Sequence, residues 1–93
     1  MIKSFKSKEA EKIFNRGYSL KLPSDIQRTA LRKLSMIQAA IAINDLRIPP
    51  ANHLELLKGD KCGRYSIRIN DQWRICFVWQ SGDAYEVEIE DYH

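Results

Sequence analysis

Arg64, Arg68 and Arg74 stand within stretches where apolar and polar residues alternate. In an extended chain successive side chains point to opposite faces. If Tyr65, Ile67, Ile69, Trp73, Ile75 and Phe77 turn inward, the three arginines therefore share the other side of a sheet. Guanidinium groups bind phosphate oxygens through a planar fork, so such a trio can cradle a phosphate. The same groups can instead form cross-strand ion pairs with Glu86, Glu88 and Glu90. The last residues, Asp91-Tyr92-His93, offer a carboxylate, a phenol and an imidazole. Cleavage of RNA by its own 2′-OH needs a base for that hydroxyl, an acid for the leaving oxygen and cations for the phosphorane. Asp91, His93 and the arginines are of the right types, and Tyr92 can stack on a base. The bland alternative is a frayed, solvated terminus. Parity places His53 and Glu55 on the arginine side, although a histidine after Pro-Pro-Ala-Asn also suits a surface loop. Lys58 and Lys61, in a glycine-containing loop, can touch a phosphate backbone or simply be solvated.

Metal chemistry has little to build on. Asp91 and His93 lack a third ligand at a characteristic spacing, so neither a metal nor another cofactor is expected. Cys62 and Cys76 lie 14 apart without a CxxC pair, which reads as two reduced thiols of a cytoplasmic protein. No apolar run approaches the length of a membrane span, and the first residues lack a secretory pattern.

The formal charge is +3, from 15 Lys and Arg against 12 Asp and Glu. Residues 1–80 hold all fifteen basic groups and seven acidic ones, a balance of +8. Residues 81–93 hold five acidic groups and no Lys or Arg, a balance of −5. A basic body suggests a polyanionic partner such as nucleic acid; the acidic last strand then has to be explained.

The elements that must position these groups follow from periodicity and punctuation. Ninety-three residues predict one domain over 1–93. Residues 2–5 are a short apolar strand or the lead-in to a helix. Ser7 caps a helix to about Arg16, with Gly17 as its left-handed terminator. Ser24-Asp25-Ile26-Gln27 fits a capping box, and Ile26, Ala30, Leu34, Ile37 and Ile41 form one apolar stripe to about Ile43. After Pro49-Pro50 the period becomes two. Strands are predicted around Leu54 and Leu56, over 65–69, 73–79 and 85–89, with turns at 70–72 and 80–83. Short connections make the strands antiparallel. The expected fold is α+β, with two N-terminal helices packed on an antiparallel sheet.

Leu54-Glu55-Leu56-Leu57-Lys58-Gly59-Asp60, then Gly63, the string from Tyr65 to Phe77 with its Asn-Asp-Gln-Trp-Arg-Ile-Cys-Phe, and the final Asp-Tyr-His together resemble HigB toxins. These belong to the RelE-like superfamily of bacterial toxin–antitoxin systems. Met1-Ile2-Lys3-Ser4-Phe5 matches the usual start of the family. The resemblance implies a RelE-like, microbial-RNase-like domain, a metal-independent endoribonuclease that cleaves mRNA, typically in the 30S A site of the translating ribosome. It implies catalytic or near-catalytic roles for Asp91 and His93, with Tyr92 organising the site. Arg74 and Arg68 would bind the scissile phosphate. It further implies a HigA-type helix-turn-helix antitoxin, with operator DNA reached only through that partner. Some members carry a histidine where this chain has Glu55; whether His53, Glu55 or neither takes that role is open. A non-catalytic RNA- or ribosome-binding blocker, or a co-repressor bound to its antitoxin, are the rival readings.

Overall fold

Ile26, Ala30, Leu34 and Ile37 recur every three or four residues, and the segment carrying them is a helix, α2 (Ser24–Ala39), that buries all four. Ahead of it, the Ser7 hydroxyl accepts the Ala10 amide at 3.2 Å and starts α1 (Lys8–Phe14), which buries Ala10 and Ile13. The period-two segments are strands β1 (Glu55–Leu56), β2 (Arg64–Arg68), β3 (Trp73–Gln80) and β4 (Asp83–Asp91). They form one antiparallel sheet in the order β1-β2-β3-β4. The computed structural model describes residues 1–58 and 63–91; Lys61, Cys62, Tyr92 and His93 lie outside the described residues. The helices cover one sheet face, where Ile13, Leu34 and Ile37 meet Ile67, Ile75, Phe77 and Val87. Phe77 packs between Tyr65 and Trp79, its ring centroid 6.3 and 6.4 Å from theirs. The expected α+β architecture is the observed one. No helix among the described residues is long and apolar enough to cross a membrane.

Residues 2–5 take the extended alternative, as isolated bridges rather than a regular strand. They run parallel to β4, with the Lys3 and Lys6 amides donating to the Ala84 and Val87 carbonyls at 2.7 and 2.9 Å. The outer edge of β4 is thereby covered.

Several local expectations are corrected. Gln27 does not complete a capping box. Its buried side chain accepts the Ser19 amide at 3.0 Å and donates to the Ser19 and Leu22 carbonyls, because Ser19 is fully buried in an otherwise exposed loop and its backbone groups lack water. At the end of α1, Arg16 rather than Gly17 takes the left-handed conformation, with φ 66°. Gly17 is needed for close approach: its amide reaches the Lys12 carbonyl at 2.7 Å, and a Cβ there would lie 3.0 Å from that oxygen. Helix α2 ends at Ala39, short of Ile43. Asp45 draws the Ile41 and Ala42 amides onto its carboxylate at 2.9 and 3.1 Å and starts a short 3-10 helix, Ile43–Arg47. Ile41 is consequently 85% exposed instead of lying on the stripe.

Two departures affect the sheet. β1 is only two residues long, and beside it Leu57 is buried while Leu56 is 55% exposed. In β4, Glu88 faces Cys76 but Tyr85 faces Val78, so two residues, Glu86 and Val87, stand opposite Phe77. Glu86 takes φ 51°. This bulge reverses the alternation, so that Ala84 rather than Tyr85 joins the core.

Two outcomes follow from this packing. Leu34 is fully buried between helix layer and sheet, so Leu34→Ala is expected to lower unfolding free energy by about 3 kcal/mol, measured by chemical denaturation. The Ala42 and Ile41 amides hold the Asp45 carboxyl below the usual aspartate value. Its stabilisation is therefore complete above the unfolded aspartate range and disappears as acid protonates the folded form. Asp45→Ala should lower the melting temperature at neutral pH and flatten the acid limb of its pH profile.

Candidate active site

The far face of the sheet is built around Arg74. It lies mid-sheet on β3 and is only 8% exposed, so its charge must be met by fixed partners. Its Nε donates to Ser66 Oγ on β2 at 2.8 Å. One Nη donates to the His53 carbonyl at 2.6 Å and lies 3.7 Å from a Glu55 carboxylate oxygen. Ser66 and Cys76 beside it are fully buried, so the centre of this face is closed, not open as strand parity alone implied. The turn over Pro50–Asn52 and β1 bring His53 and Glu55 against this side.

The edge of this surface is a cleft of about 330 Å³ lined by His53, Glu55, Arg68, Asn70, Asp71 and Arg74. Arg68 and Arg74 occupy directly paired positions on β2 and β3. Like charges so placed repel unless an anion lies between or beside them. Arg68 is drawn towards Asp71 in the turn that follows it. That turn is fixed by Asn70, whose side-chain oxygen accepts the Gln72 and Trp73 amides at 2.9 and 2.8 Å. The cleft thus combines two guanidiniums, an imidazole and two carboxylates, a set able to hold a phosphodiester and move protons beside it.

Other expected site residues are placed differently. Arg64 shares the face but sits at its other end, where it pairs with Glu88 at 2.9 Å and approaches Glu86 at 4.0 Å. The cross-strand ion-pair reading describes Arg64, while Arg68 and Arg74 join the cleft. His53 lies outside β1, against the expectation from parity. It ends the Pro50–Asn52 3-10 helix in the left-handed conformation, φ 45°, ψ 58°, and this turn carries it to the cleft. Lys58 is exposed just beyond β1. Asp91 pairs with Trp73 in register and accepts a hydrogen bond from Gln72 at 3.0 Å; it does not line the cleft. Among the described residues, no group of three or more His, Cys, Asp and Glu is placed to hold a metal ion.

Sequence reasoning passed over Asn70, Asp71, Asn52 and Lys33. Lys33 is 4% exposed and donates to Asn52 at 2.5 Å, directly behind the His53 turn. The signal was available: Ala30, Lys33, Leu34 and Ile37 fall on one helix face, so a lysine occupies a core position.

Residues 3–93 match the family described as the RelE-like toxin of the type II toxin–antitoxin system HigB. The chain is 42% identical over 85 residues to Toxin HigB-1 of Vibrio cholerae, covering 90% of each. It is 40% identical to Endoribonuclease HigB of Proteus vulgaris across 100% of both. A 47% identical stretch of 64 residues aligns with an uncharacterized protein of Haemophilus influenzae, spanning 69% of this chain and 63% of that relative. Two solved structures share the fold. One is a YafQ mutant from E. coli, with TM-score 0.58 and 11% identity over 98% of this chain and 93% of that one. The other is the YoeB–YefM complex from Staphylococcus aureus, with TM-score 0.58 and 19% identity over 100% and 98%. With the family matched over nearly its whole length, the chain belongs to the HigB family of RelE-like toxins of type II toxin–antitoxin systems.

Proposed function

We propose that this toxin is a metal-independent endoribonuclease that cuts mRNA in the 30S A site of translating ribosomes and so arrests growth. Its relative from Proteus vulgaris is named an endoribonuclease and aligns with the whole chain. The observation that carries the reading is the pairing of Arg68 and Arg74 across β2 and β3, beside His53 and Glu55 in one cleft. Two cations held side by side favour a bound anion, and a phosphodiester is the anion whose chemistry the neighbouring groups serve.

In the proposed reaction the mRNA 2′-OH attacks the adjacent phosphorus and the bond from phosphorus to the 5′ oxygen breaks. The products are a cyclic phosphate and a 5′-OH. A base takes the 2′-OH proton and an acid supplies one to the leaving oxygen. His93 is assigned to one of these transfers and His53 or Glu55, which line the cleft, to the other; Asp91, outside that lining, takes the near-catalytic role, and Tyr92 stacks on a base. Arg74 and Arg68 stabilise the phosphorane, while Arg64, Lys58 and Lys61 contact the RNA backbone. The ribosome orients the mRNA, which lets a sparse set of groups suffice. A type II toxin has an antitoxin partner; the one proposed is a HigA-type helix-turn-helix protein through which operator DNA is reached, and the cytoplasm is where both act.

The test is to map mRNA 5′ ends after inducing wild type, Arg74→Ala and His93→Ala. Wild type is expected to create new 5′-OH ends within translated frames, and each variant to lose them by about 100-fold. Growth arrest by wild type without new ends would sink the nuclease reading in favour of a translation blocker. Unchanged cleavage by His93→Ala would remove only that residue's role.

A further inference from the structure

Lys33 is a buried cation in the helix layer. It lies on the inner face of α2 between Ala30 and Ile37, and is 4% exposed. No carboxylate among the described residues pairs with it. Burial, and then the neighbouring cations Arg32 and Arg68, hold its ammonium below the ordinary lysine value. Its hydrogen-bond partner is a carboxamide, Asn52 Oδ1, at 2.5 Å. An apolar residue would fill this stripe at a lower desolvation cost.

The contacts around Asn52 explain the lysine. Asn52 is fully buried, and its Nδ2 donates to the Leu46 carbonyl at 3.1 Å, which leaves Oδ1 facing Lys33. The following residue, His53, turns left-handed and presents its carbonyl to Arg74 at 2.6 Å. Between these two neighbours the chain passes from the helix layer to the far side of the sheet. The tether from α2 thus ends one residue before the group that orients the cleft's buried arginine.

We propose that Lys33 is a positioning residue of the cleft: by holding Asn52 it fixes the 52–53 turn, so that the His53 carbonyl keeps the Arg74 guanidinium in the orientation the phosphate requires. This rests on the endoribonuclease reading above, and adds to it a residue that touches neither RNA nor the reacting atoms.

The experiment separates positioning from mere stability. Lys33→Met leaves Asn52 Oδ1 buried without a donor, whereas Lys33→Met with Asn52→Leu removes that orphaned acceptor and leaves only the Leu46 carbonyl short of a donor. Cleavage of ribosome-held mRNA and thermal melting are measured for both, with wild type in the same assay. Lys33→Met is expected to lower kcat by about 10- to 100-fold, since a displacement near 1 Å suffices for that. KM should stay within about twofold. The paired apolar variant should regain part of the melting temperature but none of the kcat. In an Arg74→Ala background, Lys33→Met should add less than about twofold, because its effect passes through that arginine. Recovery of kcat together with the melting temperature, or penalties that multiply in the Arg74 background, would overturn the proposal. If Lys33→Met fails to fold, the paired apolar variant carries the same cycle. Absence of cleavage by wild type would instead remove the endoribonuclease reading itself.

Discussion

A guanidinium at 8% exposure cannot rely on water, and the sheet is arranged around this fact at Arg74. Three pieces of chain supply its partners. Ser66 comes from the β2–β3 register, Glu55 from the pairing of β1 with β2, and the His53 carbonyl from a left-handed turn. A slip of one residue in β3 would carry Arg74 to the helix face and expose Ile75 and Phe77. Hydrophobic burial and the placement of the cleft therefore specify the same register. The arginine depends on the core being correctly formed, and the core tolerates the arginine because Ser66 and the His53 carbonyl accept from its N–H groups.

The charge gradient acquires a spatial meaning from the same register. The acidic strand β4 meets the basic groups most closely at the Arg64 end of the face. Glu88 takes Arg64 at 2.9 Å and Lys6 at 3.6 Å, while Asp83 takes the amino terminus at 3.3 Å. These contacts brace the Arg64 end of the sheet and fasten residues 1–6 along its edge. The Arg64–Glu88 pair is largely sheltered from water, and the more exposed Lys6 and amino-terminal pairs, small individually, join segments distant in sequence. The other end retains Arg68 beside Arg74, at the mouth of the cleft. A net +3 thus divides into a braced region and a region suited to an anion.

How much of this was legible in the sequence depends on whether local pattern or tertiary demand decided the outcome. The alternation from Arg64 to Phe77 was legible because the strands are regular and one face is buried throughout. The α2 stripe was legible from Ile26 to Ile37 for the same reason. Legibility failed where a polar side chain was diverted to the backbone of the adjoining loop, as when Gln27 turned to Ser19 and Asp45 to Ile41. It failed again at Glu86, where one inserted residue inverted the faces of β4. In the cleft, Arg68, Arg74 and Glu55 could be placed by parity. His53 arrives through a turn whose geometry no periodicity records, and Lys33 was hidden by the habit of reading lysine as surface.

The cleft divides its groups by rigidity. Arg74 is buried and held by Ser66 and His53, so its charge is oriented before any ligand arrives. The His53 ring and the Glu55 carboxylate belong to exposed residues at the rim. This division suits phosphoryl chemistry. Stabilising charge on a phosphorane works through dipoles and cations that need no reorganisation as the reaction proceeds. Proton-transfer groups, by contrast, commonly reach their working geometry only when substrate is bound. In the proposed reaction the ribosome contributes the missing order by presenting mRNA in a fixed path, so the protein need pre-set only the part that answers developing charge. A small toxin can then depend on one well-held arginine more than on an enclosed pocket, and its fold is organised accordingly.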